Sequence, residues 1–300
     1  MRVSTSMIYD FGRTAMQRQT ADFMNTQLQL ASGRRVLKPS DDPVSSARAL
    51  EVSQSKNVNA QFMENLGYAR DALRLVEGTM ASVTEGITYV RTRAVESGND
   101  TLSQPELDSL AADLRAQYEQ LRALANTRDG EGQYLFSGYA INDEPFVGDL
   151  TAPATTYAGD AGVRRIQVSS SREIPVSAPG DQVFGDGVTG LFADLRTFID
   201  RLESGTFNAT DVDNAITAMD GALDMVLRER ASVGSRLGEL DAIENVSADF
   251  DLQYAETLSR LQDLDYTEAI SRFSKQQTLL EAAQQSYVRV TGLSLFDLLR

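Results

Sequence analysis

FMENLGYARDALRLVEGTMASVTEGITYVRTRA, residues 62–94, decides the fold. Taken at steps of four and three it gives Phe62, Leu66, Ala69, Leu73, Val76, Met80, Val83, Ile87, Val90 and Ala94, apolar at every step. Alternating 3 and 4 averages 3.5 residues per turn, the repeat that keeps one seam against a partner helix along a left-handed supercoil. At 1.5 Å per residue the stretch is a rod of roughly 50 Å, and it needs apolar partners of similar length. Phe62, Leu66, Leu73, Val76, Met80, Val83, Ile87 and Val90 are therefore predicted as core within one chain.

Working outward, the helix starts at Ser40-Asp41-Asp42-Pro43: an Asp N-cap, acidic charge at the positive helix end, and Pro at the first helical position. It stops at Ser97-Gly98-Asn99-Asp100. Ser103 and Pro105 start a second helix with Leu107, Leu110, Leu114, Gln117, Leu121 and Leu124 as its seam, and the short break predicts an antiparallel return. A third partner begins near Asp211. It runs Ile216, Met219, Leu223, Val226, Val233, Leu237, Leu240, Ile243, Phe250, Tyr254, Leu258 and Leu261, and a register drift near Ile243 reads as a stutter. Leu191–Leu202 is a shorter helix.

Between these helices Gln133–Tyr139 reads as aromatic and strand-like, ending the first helical segment in a β-hairpin. Gly- and Pro-rich sequence then runs to Gly190, with alternating stretches at Val163–Val168 and Ile174–Val176. The two ends of the chain are thinner. Met16, Phe23 and Leu30 recur every seven residues among Gln, Thr and Asn. Ala269, Phe273, Gln276, Leu280, Ala283, Tyr287 and Val290 do the same at the other end, before an apolar tail containing Leu295 and Phe296. Such sparse stripes are predicted to order fully only against a partner. Gly33 is a left-handed helix stop, and Gly33, Arg34, Asp41, Asp42 and Pro43 mark a bend between the thin and thick helices.

The layout is thus mainly α: a long antiparallel helical bundle or coiled coil formed by N- and C-terminal segments, with a small β-rich inserted domain. Its expected parts are an N-terminal arm (1–42), a first bundle segment (43–138), the β-rich insertion (139–190), a second bundle segment (191–263) and a C-terminal arm (264–300).

Composition removes several functions. With 43 acidic and 28 basic residues the chain carries −15 and shows no basic patch, which disfavours nucleic acid and anionic membranes. It has no Cys and no His, so thiol nucleophiles, Ser-His-Asp triads, thiolate or imidazole zinc sites and disulfides are absent. The N-terminus shows no apolar signal-peptide core, and no apolar run is long enough to span a bilayer. Carboxylate pairs remain, Asp41 with Asp42 and Asp263 and Asp265 with Glu268, but no phosphate loop or nucleophile elbow accompanies them, and capping explains them. No catalytic, cofactor or metal site is expected.

Ser32-Gly33-Arg34 with Asp41-Asp42-Pro43 and Ala47, the paired helices through Asn65-Leu66 and Leu107, and Arg260-Leu261 with Asp263, Asp265, Tyr266, Glu268 and Ala269 together resemble the flagellin superfamily, over both terminal thirds. Tyr134–Tyr139, Pro145-Phe146, Tyr157, Gly159-Asp160, Ile174, Val176, Gly180, Phe184 and the closing Leu293–Leu299 are similar to its hook-filament junction members. The resemblance implies an exported, self-assembling structural subunit of the bacterial flagellum, active in motility, outside the cell and free of any cleavable signal peptide. Its implied partners are copies of itself in a ring, a neighbouring hook-associated protein, flagellin, and the export chaperone and type III export apparatus. The axial assembly interface would be Met16, Phe23, Leu30, Phe273, Leu280, Tyr287, Val290, Leu295 and Phe296. A flagellin-type filament subunit and a cytosolic coiled-coil scaffold are the alternatives.

Overall fold

The computed structural model describes the backbone of residues 5–297 apart from Asp100 and Pro153, and side chains over 10–289 together with Met7. In chain order the elements are α1 (Thr5–Ser32), α2 (Pro43–Ser97), α3 (Gln104–Ala125), β1 (Phe146–Val147), β2 (Thr156–Tyr157), β3 (Arg165–Ser169), β4 (Arg172–Pro175), α4 (Gly180–Phe184), α5 (Leu191–Glu203), α6 (Ala209–Gln262) and α7 (Tyr266–Asp297). The chain divides into two compact units, residues 59–248 and residues 1–58 with 249–300. These borders fall inside α2 and α6 rather than at the bend, so they cut the chain differently from the five segments expected from the sequence.

In the 59–248 unit, Leu66, Ala69, Leu73, Val76, Met80, Val83, Ile87, Val90 and Ala94 of α2 are all buried. Phe62, expected in the same core, is only half-buried. The buried side chain one turn earlier is Asn59, whose Nδ2 donates to the Ser247 carbonyl at 2.8 Å. Helix α6 faces this seam with Val212, Met219, Val226, Val233, Leu240 and Ser247, a buried residue every seven. The expected stutter near Ile243 is therefore absent: the register continues through Ser247, a polar residue that an apolar pattern passes over. Cross-links between the helices run in opposite order, with Asn59 to Ser247, Arg70 to Asp241, Glu77 to Arg230 and Arg91 to Asp220, which makes α2 and α6 antiparallel.

Helix α3 opens at Ser103, where the Glu106 carboxylate accepts the Ser103 N–H at 2.7 Å. It buries Leu107, Ala111, Leu114, Tyr118, Leu121 and Ala125. The sequence reading had Leu110, Gln117 and Leu124 in place of Ala111, Tyr118 and Ala125; those three are half-buried flanks. The small alanines allow close approach, and Gly86 of α2 lies so near α3 that a Cβ there would stand 2.7 Å from Leu121 Cδ2. Tyr118 turns its ring edge to Phe192 of α5, centroids 5.5 Å apart, and its hydroxyl meets Thr155 Oγ1 in a short hydrogen bond.

The β-rich stretch is two small antiparallel pairs, β1 with β2 and β3 with β4, the latter in register Ile166↔Ile174. Residues 139–190, expected as a domain of their own, add Phe146, Val168, Ile174, Val183 and Phe184 to the same buried cluster as α2, α3, α5 and α6. Pairs this short hold little core alone and gain stability from packing on helices. Gln133–Tyr139 forms no hairpin: its only ladder contact is an isolated bridge, Arg128↔Tyr134. Tyr134, Leu135 and Phe136 are buried consecutively, not in the alternation of a strand with one face open to solvent. Gly132 and Gly138, with φ of 83° and 75°, turn the chain instead.

In the other unit, α1 and α7 pair along their length. Both are helical in the single chain, whereas the sparse stripes predicted ordering only against a partner.

Candidate assembly site: the terminal arms and their bend

The α1–α7 seam is assembled from small and polar side chains as much as from apolar ones. Phe23 stacks on Phe273 with ring centroids 4.7 Å apart and planes at 26°. Further out, the ring of Tyr287 lies on Gly12, where a Cβ would stand 3.2 Å from Tyr287 Cδ2. Met16, Phe23, Leu30, Phe273, Leu280 and Tyr287 are each half-buried. The side chains of Val290, Leu295 and Phe296 lie outside the described residues. Fully enclosed positions include Thr26, whose hydroxyl donates to the Asp22 carbonyl at 3.1 Å, and Gln29. The buried Nε of Arg272 and Oε1 of Gln276, one turn apart on α7, have no hydrogen-bond partner in the described structure. Large apolar groups meanwhile stay outside, among them Phe11 (64% exposed), Met24 (57%), Leu28 (59%) and Ile270 (54%).

The bend is tighter than the arms it joins. Gly33 ends α1 at φ 68°, a conformation open to glycine, and its carbonyl accepts the Leu264 N–H at 3.0 Å. Arg34 bridges Asp263. Arg35 is the hub. Its N–H donates to the Gln262 carbonyl at 2.7 Å, and its carbonyl accepts Gln29 Nε2 at 2.7 Å. Its guanidinium reaches the Leu261 carbonyl at 2.9 Å and Asp42 Oδ2 at 3.3 Å. One residue thus ties the end of α1, the start of α2 and the end of α6.

Both acidic residues of the bend serve the backbone. Asp41 Oδ2 accepts the N–H groups of Leu37 and Lys38 at 3.2 and 2.9 Å. Asp42 caps α2, its Oδ1 accepting the Ser45 N–H at 3.0 Å with Pro43 next in line. The Ser45 hydroxyl and N–H, with Arg35 beside them, hold the Asp42 carboxyl below the usual carboxylate range. Asp265 Oδ1 likewise takes the N–H groups of Thr267 and Glu268 at the start of α7. These carboxylates are engaged by backbone N–H groups, and no group of three or more carboxylates fit to hold a metal ion occurs among the described residues.

The structure therefore brings Gly33, Arg34, Asp41, Asp42 and Pro43 into one cluster and Met16, Phe23, Leu30, Phe273, Leu280 and Tyr287 onto paired helices. Sequence reasoning missed Arg35, Gln29 and Leu264. Only the nearness of Arg35 to the Gly33 stop hinted at it, since its partners on α6, the Leu261 and Gln262 carbonyls, lie more than 200 residues away.

Comparison with known proteins gives this geometry a context. The family profile described as bacterial flagellin N-terminal helical region matches residues 3–140, and that of the bacterial flagellin C-terminal helical region matches 216–299. The chain is 32% identical over 319 residues to flagellar hook-associated protein 3 of Escherichia coli K12, covering 99% of both proteins. It is 28% identical over 151 residues to flagellin B of Helicobacter pylori, covering 49% of this chain and 29% of that one. A crystal structure of flagellar hook-associated protein 3 from Legionella pneumophila superposes with a TM-score of 0.64 at 20% identity, over 70% of this chain and 98% of the other, a likeness of fold. Among the described residues no helix is long and apolar enough to cross a membrane.

Proposed function

This chain belongs to the bacterial flagellin family, a family of structural flagellar proteins, and on that premise we propose that it forms the junction ring between hook and filament. The observation that carries the reading is end-to-end correspondence with flagellar hook-associated protein 3, against a match to flagellin B confined to half the chain. The work is mechanical: of the carboxylates that offered acid/base chemistry, Asp42 and Asp265 cap helices and Asp41 accepts the Leu37 and Lys38 N–H groups of the bend.

The arms, residues 1–42 and 264–300, supply the axial contacts, with Met16, Phe23, Leu30, Phe273, Leu280, Tyr287, Val290, Leu295 and Phe296 as the interface. Half-buried and exposed apolar groups along α1 and α7 support that assignment, because they are contacts the isolated chain leaves uncompleted. Partners are copies of the chain, a hook-associated protein on one side and flagellin on the other. The chain reaches them through the flagellar export apparatus and its chaperone, and it works outside the cell. Many identical weak contacts around a ring suffice, since each completes surface already ordered.

Deleting the gene and examining the cells by electron microscopy tests this. Hooks without filaments, filaments shed into the medium, and rescue by the full chain are expected. Hooks that keep stable filaments without the protein would defeat the junction reading and bring a filament subunit forward.

A further inference from the structure

The charge of the chain is divided between its two compact units. Residues 59–248 hold 30 acidic and 15 basic side chains, and the unit made of 1–58 and 249–300 holds 13 of each. The whole net charge of −15 therefore sits on one unit, while the unit that carries the arms is neutral. All three lysines, Lys38, Lys56 and Lys275, are also in the neutral unit. Within the acidic unit many arginines are already committed to internal pairs such as Arg70–Glu244, Arg91–Asp220, Arg115–Glu203, Arg172–Glu239 and Arg230–Glu77. Asp71, Glu85, Asp143, Glu173, Asp213 and Asp224 stand exposed, and none is among the side-chain hydrogen bonds or ion pairs of the described structure.

We propose that the acidic unit acts as a repulsive spacer between copies of this chain, so that copies associate through the neutral unit and only as cations screen the acidic one. This rests on the reading of the chain as a self-assembling ring subunit and adds the regulation of that assembly. Charges on neighbouring copies feel one another over a Debye length, about 8 Å at physiological salt and about 30 Å at 0.01 M. An excess of one sign opposes close association of like bodies. The unit that carries the arms is neutral as a whole, and its apolar and polar contacts act at short range, so screening removes the opposing force while leaving the cohesive one. Copies held together by ion pairs would show the opposite sign, because salt weakens such pairs.

The purified full chain is followed by sedimentation velocity across a sodium chloride series. It is compared with a variant carrying Asp71→Asn, Glu85→Gln, Asp143→Asn, Glu173→Gln, Asp213→Asn and Asp224→Asn, six fewer negative charges. The unmodified chain is expected to associate more strongly as salt rises, by about tenfold across the series, and the variant to reach the same association at lower salt with a flatter slope. The sign of the unmodified chain's response stands as a test even if the variant folds poorly. Association that weakens with salt would overturn the proposal. So would coinciding profiles for the two proteins, both remaining monomeric throughout included. A deletion strain that retains its filaments would remove the junction reading and leave the salt response as it is, so the two failures are distinguishable.

Discussion

Replacing Gly33 by alanine tests whether the bend, rather than the arms, fixes how α1 ends and α7 starts. Gly33 sits at φ 68°, where an L side chain costs about 1–2 kcal/mol relative to glycine. A Cβ there would also stand 2.9 Å from the Tyr266 hydroxyl oxygen. That second contact is inexpensive, because Tyr266 is 52% exposed and its ring end is free to move outward. The backbone term therefore dominates, and opening of the bend should rise by about 5–30-fold.

Hydrogen exchange at the Leu264 and Arg35 amides reads this directly, since they donate to the Gly33 and Gln262 carbonyls. Both should exchange faster in Gly33→Ala, while amides flanking Leu73 and Met80 in α2 stay as they were. Gly33→Ala combined with Tyr266→Phe should recover only a small part of the loss, and Gly33→Asn should be milder than alanine because Asn tolerates the left-handed region. Unchanged exchange at Leu264 and Arg35 in Gly33→Ala would refute the reasoning. Full recovery in the double variant would show that contact with Tyr266, not backbone conformation, set the cost.

Leu73→Ala removes a fully buried side chain from the α2 seam and should destabilise the 59–248 unit by about 2–5 kcal/mol, read as a lower denaturation midpoint. Phe273→Ala deletes the ring stacked on Phe23; amides in the middle of α1 should exchange faster while those of α3 do not, and equal acceleration in both would argue against independent arms. Tyr157 is held neutral by burial, its pKa pushed up to about 12, with its hydroxyl donating toward the Phe136 and Asp160 carbonyls at 2.9 Å. Because the folded value is raised, the stabilisation it brings is complete below the ordinary value of 10.0 and is lost as pH climbs toward about 12. Tyr118, raised by burial, and Tyr68, raised by its hydrogen bond to Glu64, also titrate late, so phenolate absorbance should show several late-titrating tyrosines that return to ordinary titration on unfolding, with one fewer in Tyr157→Phe.

How far the sequence could be read depended on what fills the seam. Leu66 to Ala94 was legible because large or branched apolar groups recur at the heptad spacing with polar groups between. On α3 the same register is filled by Ala111, Tyr118 and Ala125, and larger leucines one residue away drew the reading off it. On α6 the seam closes with Ser247, which packs because Asn59 binds its carbonyl, a pairing no periodicity displays. Gly33, Asp42 and Pro43 announced the bend, since capping chemistry is local. The Arg35 hub did not, because its meaning comes from carbonyls at Leu261 and Gln262 that only the tertiary fold delivers.

The two helical seams also differ in what they leave unspent. Between α2, α3 and α6 the seam positions from Leu66 to Ala94 are closed to solvent, while Tyr68, Leu75, Val95, Leu227 and Val246 stand exposed off the seam. Along α1 and α7 the seam is half-open, encloses Thr26 and Gln29, and leaves Phe11, Met24, Leu28 and Ile270 in water. At about 25 cal/mol per Å² the exposed groups represent stabilisation realised only when another surface covers them. On the proposed reading as a ring subunit, that division separates a middle that holds its seam closed within the chain from ends that keep cohesion for a neighbour. The charge distribution follows the same line. The unit of residues 59–248 carries the whole net charge of −15, and the unit proposed to meet another copy is neutral.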